Sequence, residues 1–410
     1  MLSRTIPKTQ EKIPILGLGC MRLLEKKGSI DEERSKALVR YAIDKGVTHL
    51  DTAWMYHHGQ SESFLGRALA DGYREKITLS TKLPHWLVKT REDMDFFLNS
   101  QLSRLKTKYI DYYLVHSIGK ESWDRMKALG VNEFLDQAKK DGRIRNTGFS
   151  FHEGTGIFKK IVDDYPWECC LIQYNIIDEF SQAGRDGLKY ASEKGLAVFI
   201  MEPLRGGKLA KNIPGEISRI LDQADIKRTS AEWALKWLWD QPEVTMVLSG
   251  MNDISQVDEN CEIAKTSYPG DLTSEEHEII RNIAKTWQSF MKVPCTGCQY
   301  CMPCHFGVNI PSCFEMYNNL FMFGDTWRTN ASYVIRLGGV MSGHSVASAC
   351  RDCGACVSAC PQGIDIPKRL KEVSGRLEGP FYHILHLGAM VALPIMRRMA
   401  FFKKRFLSDE

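Results

Sequence analysis

The chain has 410 residues, with 54 Lys and Arg against 50 Asp and Glu and a formal net charge of +4. That balance is too even for the electrostatic hold that nucleic acid demands, and no run of about 18 apolar residues is present to cross a bilayer. An apolar content of 43% and a charged content of 25% are those of an ordinary globular protein of two or three domains.

The N-terminus, Met1 to Pro7, lacks the apolar core of a signal peptide. A chain that stays in the cytoplasm keeps its thirteen cysteines reduced. They are then expected to serve as ligands or core residues rather than as disulfides. Cys20, Cys169, Cys170 and Cys261 sit in apolar strand-like or helical runs and read as core.

Short β-rich runs alternate with amphipathic helical ones over the first 270 residues. Strands are predicted at 15–20, 48–50, 77–82, 109–116, 144–150, 170–174, 197–201 and 245–248. Helices are predicted at 31–45, 61–70, 92–105, 131–141, 156–164, 182–194, 230–240 and 254–264. Such alternation favours a parallel sheet. Eight units in about 250 residues fit a (β/α)8 TIM barrel. A doubly wound sheet is the alternative, but no G-x-G-x-x-G follows the first strand.

Chemistry in such barrels sits at the C-terminal ends of the strands. Asp51 follows the second predicted strand, Lys82 ends the third, His116 ends the fourth, and Tyr56 lies in the loop after Asp51. A lone histidine or lysine at a strand end is usually structural. Four polar residues on three neighbouring strands make a sharper case. Tyr56 could give a proton to a carbonyl oxygen, with the Lys82 cation expected to depress its pKa and Asp51 to hold Lys82 charged. His116 would hydrogen-bond and orient the substrate oxygen.

The run Asp51-Thr52-Ala53-Trp54-Met55-Tyr56, then Ser61-Glu62 and Leu65-Gly66-Arg67-Ala68-Leu69, resembles the signature of the aldo-keto reductases. Thr81-Lys82, Leu114-Val115-His116, Gly148-Phe149-Ser150, Gln173-Tyr174-Asn175, Pro203-Leu204 and Glu259-Asn260 follow in that family's order, covering residues 13–265. The resemblance implies a catalytic tetrad of Asp51, Tyr56, Lys82 and His116, and a nicotinamide cofactor lying across the strand ends. It implies that Ser150 and Gln173 hold the carboxamide and that Glu259 and Asn260 face the adenine end. Arg205-Gly206-Gly207-Lys208 reads either as a wrap for the pyrophosphate, where glycines admit close backbone approach, or as a plain turn with solvated charges.

Three departures bear on the cofactor. Phe151 stands where the family has asparagine. Met201-Glu202-Pro203 replaces the tyrosine that stacks on nicotinamide. Gly250-Met251-Asn252 and Gln256 offer no cation for the 2′-phosphate of NADP. Without charge-assisted contacts there, NAD and NADP both remain open.

Residues 273–291 read as a helix capped by Thr273 or Ser274, with Glu275 and Glu276 in its first turn. Two cysteine arrays follow: Cys295, Cys298, Cys301, Cys304, and then Cys350, Cys353, Cys356, Cys360 with Pro361. The second is C-x2-C-x2-C-x3-C-P, the spacing that holds a [4Fe–4S] cluster in bacterial ferredoxins, where the fourth cysteine reaches the partner cluster. The first array is one residue shorter before its last cysteine, and His305 takes the place of proline. Two zinc sites are the alternative, but zinc ribbons set two C-x2-C pairs well apart. Cys313 lies near the first array and reads as a buried thiol.

The spacer between the arrays is helix-compatible, and Pro311 and Pro367 open helical runs after each array. This resembles an α-helical di-cluster ferredoxin, and the whole chain is similar to a subfamily that joins an aldo-keto reductase barrel to such a domain. The expected organisation is a barrel over 1–270, a connector helix over 271–292, a small mainly α-helical ferredoxin-type domain over 293–375 and a tail over 376–410.

The tail is apolar and then basic. It fits a helix lying on an anionic membrane surface, or a terminal helix packed on the barrel; Pro394 interrupts the run, and His383 and His386 break its apolar face. The expected activity is NAD(P)-linked redox of a small carbonyl or alcohol, with two [4Fe–4S] clusters for electron transfer. The alternative is a nucleotide-sensing scaffold that carries an electron-transfer module. A hydride carrier and one-electron clusters exchange electrons only through a converter such as a flavin, or through a redox protein partner. No Rossmann-type flavin fingerprint stands out.

Overall fold

The computed structural model describes residues 1–392 except 27, 296, 298, 299, 325, 341, 342 and 361. Cys298 of the first array, Pro361 of the second and the tail beyond residue 392 lie outside the described residues. The chain divides into two compact units, Met1–Ile283 and Ala284–Glu410.

The first unit is a closed barrel of eight parallel strands: β1 Leu16–Gly19, β2 His49–Asp51, β3 Thr78–Leu83, β4 Ile110–Ile118, β5 Ile144–Phe151, β6 Cys169–Gln173, β7 Ala197–Met201 and β8 Met246–Ser249. Each strand pairs with the next in sequence, and β8 closes on β1 with Ser249 opposite Leu18. The predicted strands all lie in this barrel.

Successive side chains alternate across a strand. Inward positions include His49, Tyr112, Leu114, Cys169, Leu171, Phe199, Met246 and Leu248, most of them in one buried cluster. A Cβ on Gly17 would lie 2.7 Å from Leu248 and 3.3 Å from the His49 ring. Only glycine leaves that layer room to close.

A hairpin of Ser3–Thr5 and Lys12–Pro14 was not expected from sequence. Its strands of three residues are too short to show a two-residue period. Ile6 and Ile13 join the barrel's inward cluster and so cover its N-terminal end.

Around the barrel run α1 Glu32–Asp44, α2 Ser61–Ala68, α3 Arg91–Leu105, α4 Lys120–Ala128, α5 Val131–Lys140, α6 Thr155–Asp164, α7 Gly184–Glu193, α8 Gly215–Gln223, α9 Ser230–Asp240 and α10 Ile254–Lys265. Helix α11, Ser274–Ser289, starts on a reciprocal cap. The Thr273 N–H donates to Glu276 Oε2 at 2.8 Å and the Glu276 N–H donates to Thr273 Oγ1 at 3.2 Å. The division between the units falls inside this helix.

The second unit is helical: α12 Ile310–Phe323, α13 Thr326–Leu337, α14 Ala355–Ser358 and α15 Ile366–Leu377, with residues 380–392 also helical. Asn309 and Asp365 cap α12 and α15, and proline fills the first turn of each, where no N–H is needed. Phe314, Leu320, Tyr333, Val334, Leu370 and Val373 belong to its core. Asn318 clamps the strand of chain that leads into the first cysteine array, bonding both the N–H and the carbonyl of Val293 at 2.9 and 2.8 Å.

In the 380–392 helix Tyr382 stacks on His386, whose ring contacts the Gly338 carbonyl. Ile384, Leu387 and Val391 are exposed. Among the described residues no helix is long and apolar enough to cross a membrane.

Candidate functional site

Three inward strand tops and one turn converge at the C-terminal end of the barrel. Asp51 ends β2, and Ser80 and Lys82 share the inward face of β3 because they are two residues apart. Lys82 is fully buried, and its Nζ donates to Asp51 Oδ2 at 2.6 Å, to the Thr52 carbonyl at 2.8 Å and to the Tyr56 hydroxyl at 3.3 Å. Ser80 Oγ donates to the other Asp51 oxygen at 2.6 Å. Both carboxylate oxygens are thereby fixed, and the ammonium points at the phenol.

Burial opposes the Lys82 charge, but Asp51 and Tyr56 beside it prevail and raise its pKa. For Tyr56 the outcome differs from the sequence expectation. Burial pushes the phenol's pKa up by more than Lys82 pulls it down, so the net direction is upward. The hydroxyl is held neutral, beside a fixed cation.

Tyr56 opens a short turn, Tyr56–Gly59, in which His57 and His58 both adopt positive φ. The turn is tied down: His57 Nε2 accepts from the Leu23 N–H at 3.1 Å and its Nδ1 meets Glu25 at 2.7 Å. His116, near the top of β4, lies edge-on to Tyr56 with ring centroids 6.3 Å apart, and Trp86 lies 5.1 Å from it. Burial, with Lys82, His85 and His152 nearby, lowers the His116 pKa well below its usual value. The ring is therefore neutral, and its buried Nδ1 has no partner.

Behind the strand ends, the buried Glu62 carboxylate accepts from Thr81 Oγ1 and Gln101 Nε2, each at 2.7 Å, and pairs with Arg104 at 3.1 Å. Gln101 also donates to the Lys82 carbonyl at 3.0 Å. This bracing joins α2 and α3 to β3.

The remaining candidates lie around the same barrel end. Ser150 Oγ accepts from the Ser117 N–H at 2.6 Å. Gln173 Nε2 donates to Asp178 at 3.0 Å, while its oxygen accepts from Gln182. Arg205, Gly206 and Gly207 form a turn after β7. The Arg205 side chain is buried and turned onto Asp178, with Nε 2.6 Å from the carboxylate. Asp178 lies 27 residues away and no sequence signal announces it. Asn260 is buried and donates to Ser249 at 2.9 Å, whereas Glu259 accepts from Thr229 at 2.7 Å. Ser80, Trp86 and Asp178 went unnoticed in the sequence because each matters only through neighbours on other elements.

The first unit coincides with a match to the aldo/keto reductase family over residues 15–285. This chain belongs to the aldo/keto reductase family. Among curated relatives, the uncharacterised oxidoreductase YqkF of Bacillus subtilis is 26% identical over 318 residues, covering 70% of this chain and 97% of the relative. L-galactose dehydrogenase of Arabidopsis thaliana is 25% identical over 318 residues, with the same coverage of 70% and 97%. Among solved structures, the holo form of the aldo-keto reductase AKR11C1 from Bacillus halodurans is 25% identical with a TM-score of 0.59, covering 69% of this chain and 96% of that one. The chain is an oxidoreductase of this family.

Residues 294–364 match a 4Fe-4S dicluster domain. Cys295, Cys301, Cys304, Cys350, Cys356 and Cys360 are partly buried against the core of the second unit, and Cys353 is exposed. The Cys356 thiol is pushed up by burial and by the neighbouring Cys350, Cys304 and Cys353. Cys304 of the first array is therefore near Cys356 of the second. The Asp352 N–H lies 3.4 Å from Cys350 Sγ, in a loop turned by positive φ at Asp352 and Gly354. Cys313 is buried inside the core beside Tyr333, away from solvent.

Proposed function

We propose that the barrel reduces a small carbonyl compound with NAD(P)H, using Tyr56 as proton donor, and that the second unit carries two [4Fe–4S] clusters for electron transfer. The observation that carries the first part is the Lys82 ammonium, saturated by Asp51 and the Thr52 carbonyl and aimed at the Tyr56 hydroxyl.

A nicotinamide supplies a hydride to the carbonyl carbon. Tyr56 supplies the proton to the carbonyl oxygen, which leaves a phenolate. The cation 3.3 Å away stabilises that phenolate as it forms. Lys82 stays charged because Asp51 and Ser80 hold the counter-charge in place. His116, kept neutral by burial and nearby cationic groups, orients the same oxygen without competing as an acid. In this reading Ser150 and Gln173, on the tops of β5 and β6, would face the carboxamide of the cofactor, and Glu259 and Asn260, on α10, its adenine end.

The nearness of Cys304 to Cys356 supports the crossed ligation of two-cluster ferredoxins. In this reading Cys304 completes the cluster of the second array, and Cys360 completes that of Cys295, Cys298 and Cys301.

Removing a general acid typically costs roughly 10²–10⁴-fold in rate. Tyr56→Phe is expected to slow single-turnover hydride transfer by about that factor while nucleotide binding, followed by fluorescence, is kept. Hydride transfer at the wild-type rate in this variant would remove Tyr56 from the chemistry.

A further inference from the structure

The turn after β7 was the natural place in the sequence for a phosphate-binding arginine, but Arg205 is committed to Asp178. A different cation stands over that turn. Arg22, in the turn that follows β1, runs across the tops of β8 and β7. A Cβ placed on Gly250 would lie 3.1 Å from Arg22 Cδ and 3.4 Å from Cγ. A Cβ placed on Gly206 would fall on a guanidinium nitrogen of Arg22, 3.0 Å from Cζ. The stem thus lies on one glycine and the charged end on the other. Any side chain at position 206 would displace the guanidinium, and Gly206 has φ +68, a conformation that glycine adopts without strain.

We propose that Arg22, rather than Arg205, supplies the cation that binds the diphosphate of the nicotinamide dinucleotide. The inference rests on the nucleotide-binding reading given above. Its reasons are local. A guanidinium presents a planar fork of donors that matches phosphate oxygens. Arg22 is only partly buried, whereas Arg205 is buried. Gly207, the next residue of the turn, has nothing within 4 Å of its Cβ position. A cation on the diphosphate serves NAD and NADP alike, so the lack of cations at 250–252 and 256 does not argue against tight nucleotide binding.

The test is equilibrium binding of NAD+, NADP+, ADP-ribose and adenosine to the full chain, read by tryptophan fluorescence. The proteins are wild type, Arg22→Met and Arg22→Lys, with thermal melts as the folding control. Losing a hydrogen bond to a charged group costs roughly 10–100-fold in affinity. Arg22→Met should weaken NAD+, NADP+ and ADP-ribose by about that factor and leave adenosine unchanged. Arg22→Lys, which keeps the charge and loses the fork, should fall between. Equal affinities in wild type and Arg22→Met would overturn the proposal, and a loss confined to NADP+ would move Arg22 to the 2′-phosphate and overturn it too. A wild-type protein that binds neither NAD+ nor NADP+ would instead defeat the nucleotide reading, and the proposal with it.

Discussion

At the scale of single residues, the site works by burying charge and polarity where partners are complete. Asp51 receives Ser80 and Lys82 on separate oxygens, and Lys82 gives its remaining proton toward Tyr56. The meeting of Asp51, Tyr56, Lys82 and His116 was legible in the sequence because they follow strand ends in fixed order. The direction of the Tyr56 pKa was not. A neighbouring cation can be inferred from a motif, but the desolvation that outweighs it depends on packing from elements far apart in the chain.

Buried histidines give a related pH dependence. His49, hydrogen-bonded to Thr78 and Ser80, and His85, beside Arg125, are both held at a pKa of about 3, chiefly by burial. An unfolded chain takes up protons at these histidines as the pH falls through about 6.5. The folded chain resists until about pH 3. Their contribution to stability is therefore complete above pH 6.5 and is lost as the pH drops below it. At pH 5 the loss is roughly 2 kcal/mol for each histidine. The melting temperature should fall steadily from pH 7 to pH 5, with a shallower slope in His49→Asn. A flat melting temperature over that interval would show that these rings titrate normally.

At the scale of elements, strand order and the major helices could be read because each repeats its apolar residues over several turns or strands. Helix α4 could not. Its nine residues bury only Trp123 and Met126, too few to set a period. Gly66 shows how a motif residue encodes packing. A Cβ there would overlap the Arg104 carbonyl oxygen and approach Leu105 backbone atoms at 2.9 Å, so the backbones of α2 and the end of α3 can meet this closely only because residue 66 is glycine. Alanine is a better helix former by roughly 0.5–1 kcal/mol. Gly66→Ala should nonetheless destabilise the barrel by about 1–3 kcal/mol, because backbone cannot move aside as a flexible side chain can. Chemical denaturation is the measurement, and an increase in stability would show that the two helices part without cost. The same change should loosen the Glu62–Arg104 and Gln101 contacts that brace β3.

At the scale of the whole molecule, two kinds of redox chemistry share one chain. The barrel handles electrons in pairs as a hydride, whereas each [4Fe–4S] cluster takes them singly. Oxidation of one NAD(P)H releases two electrons and a proton, enough to reduce both clusters by one electron each. Passing that pair directly would require a one-electron intermediate of the nicotinamide, and a flavin is the group that commonly removes this obstacle. The expected behaviour of anaerobically purified protein follows. It should carry about eight irons per chain, and NAD(P)H alone should leave the cluster absorbance unchanged. Added free flavin should let the same nucleotide bleach it. A Cys353→Ser, Cys356→Ser variant should lose the second array's share of the bleaching yet keep carbonyl reduction, since the chemistry proposed for Lys82 and Tyr56 needs no cluster. Bleaching by NAD(P)H in protein shown to be flavin-free would mean that the chain holds a converter of its own. Stoichiometric zinc with little iron would dismiss electron transfer by the second unit altogether.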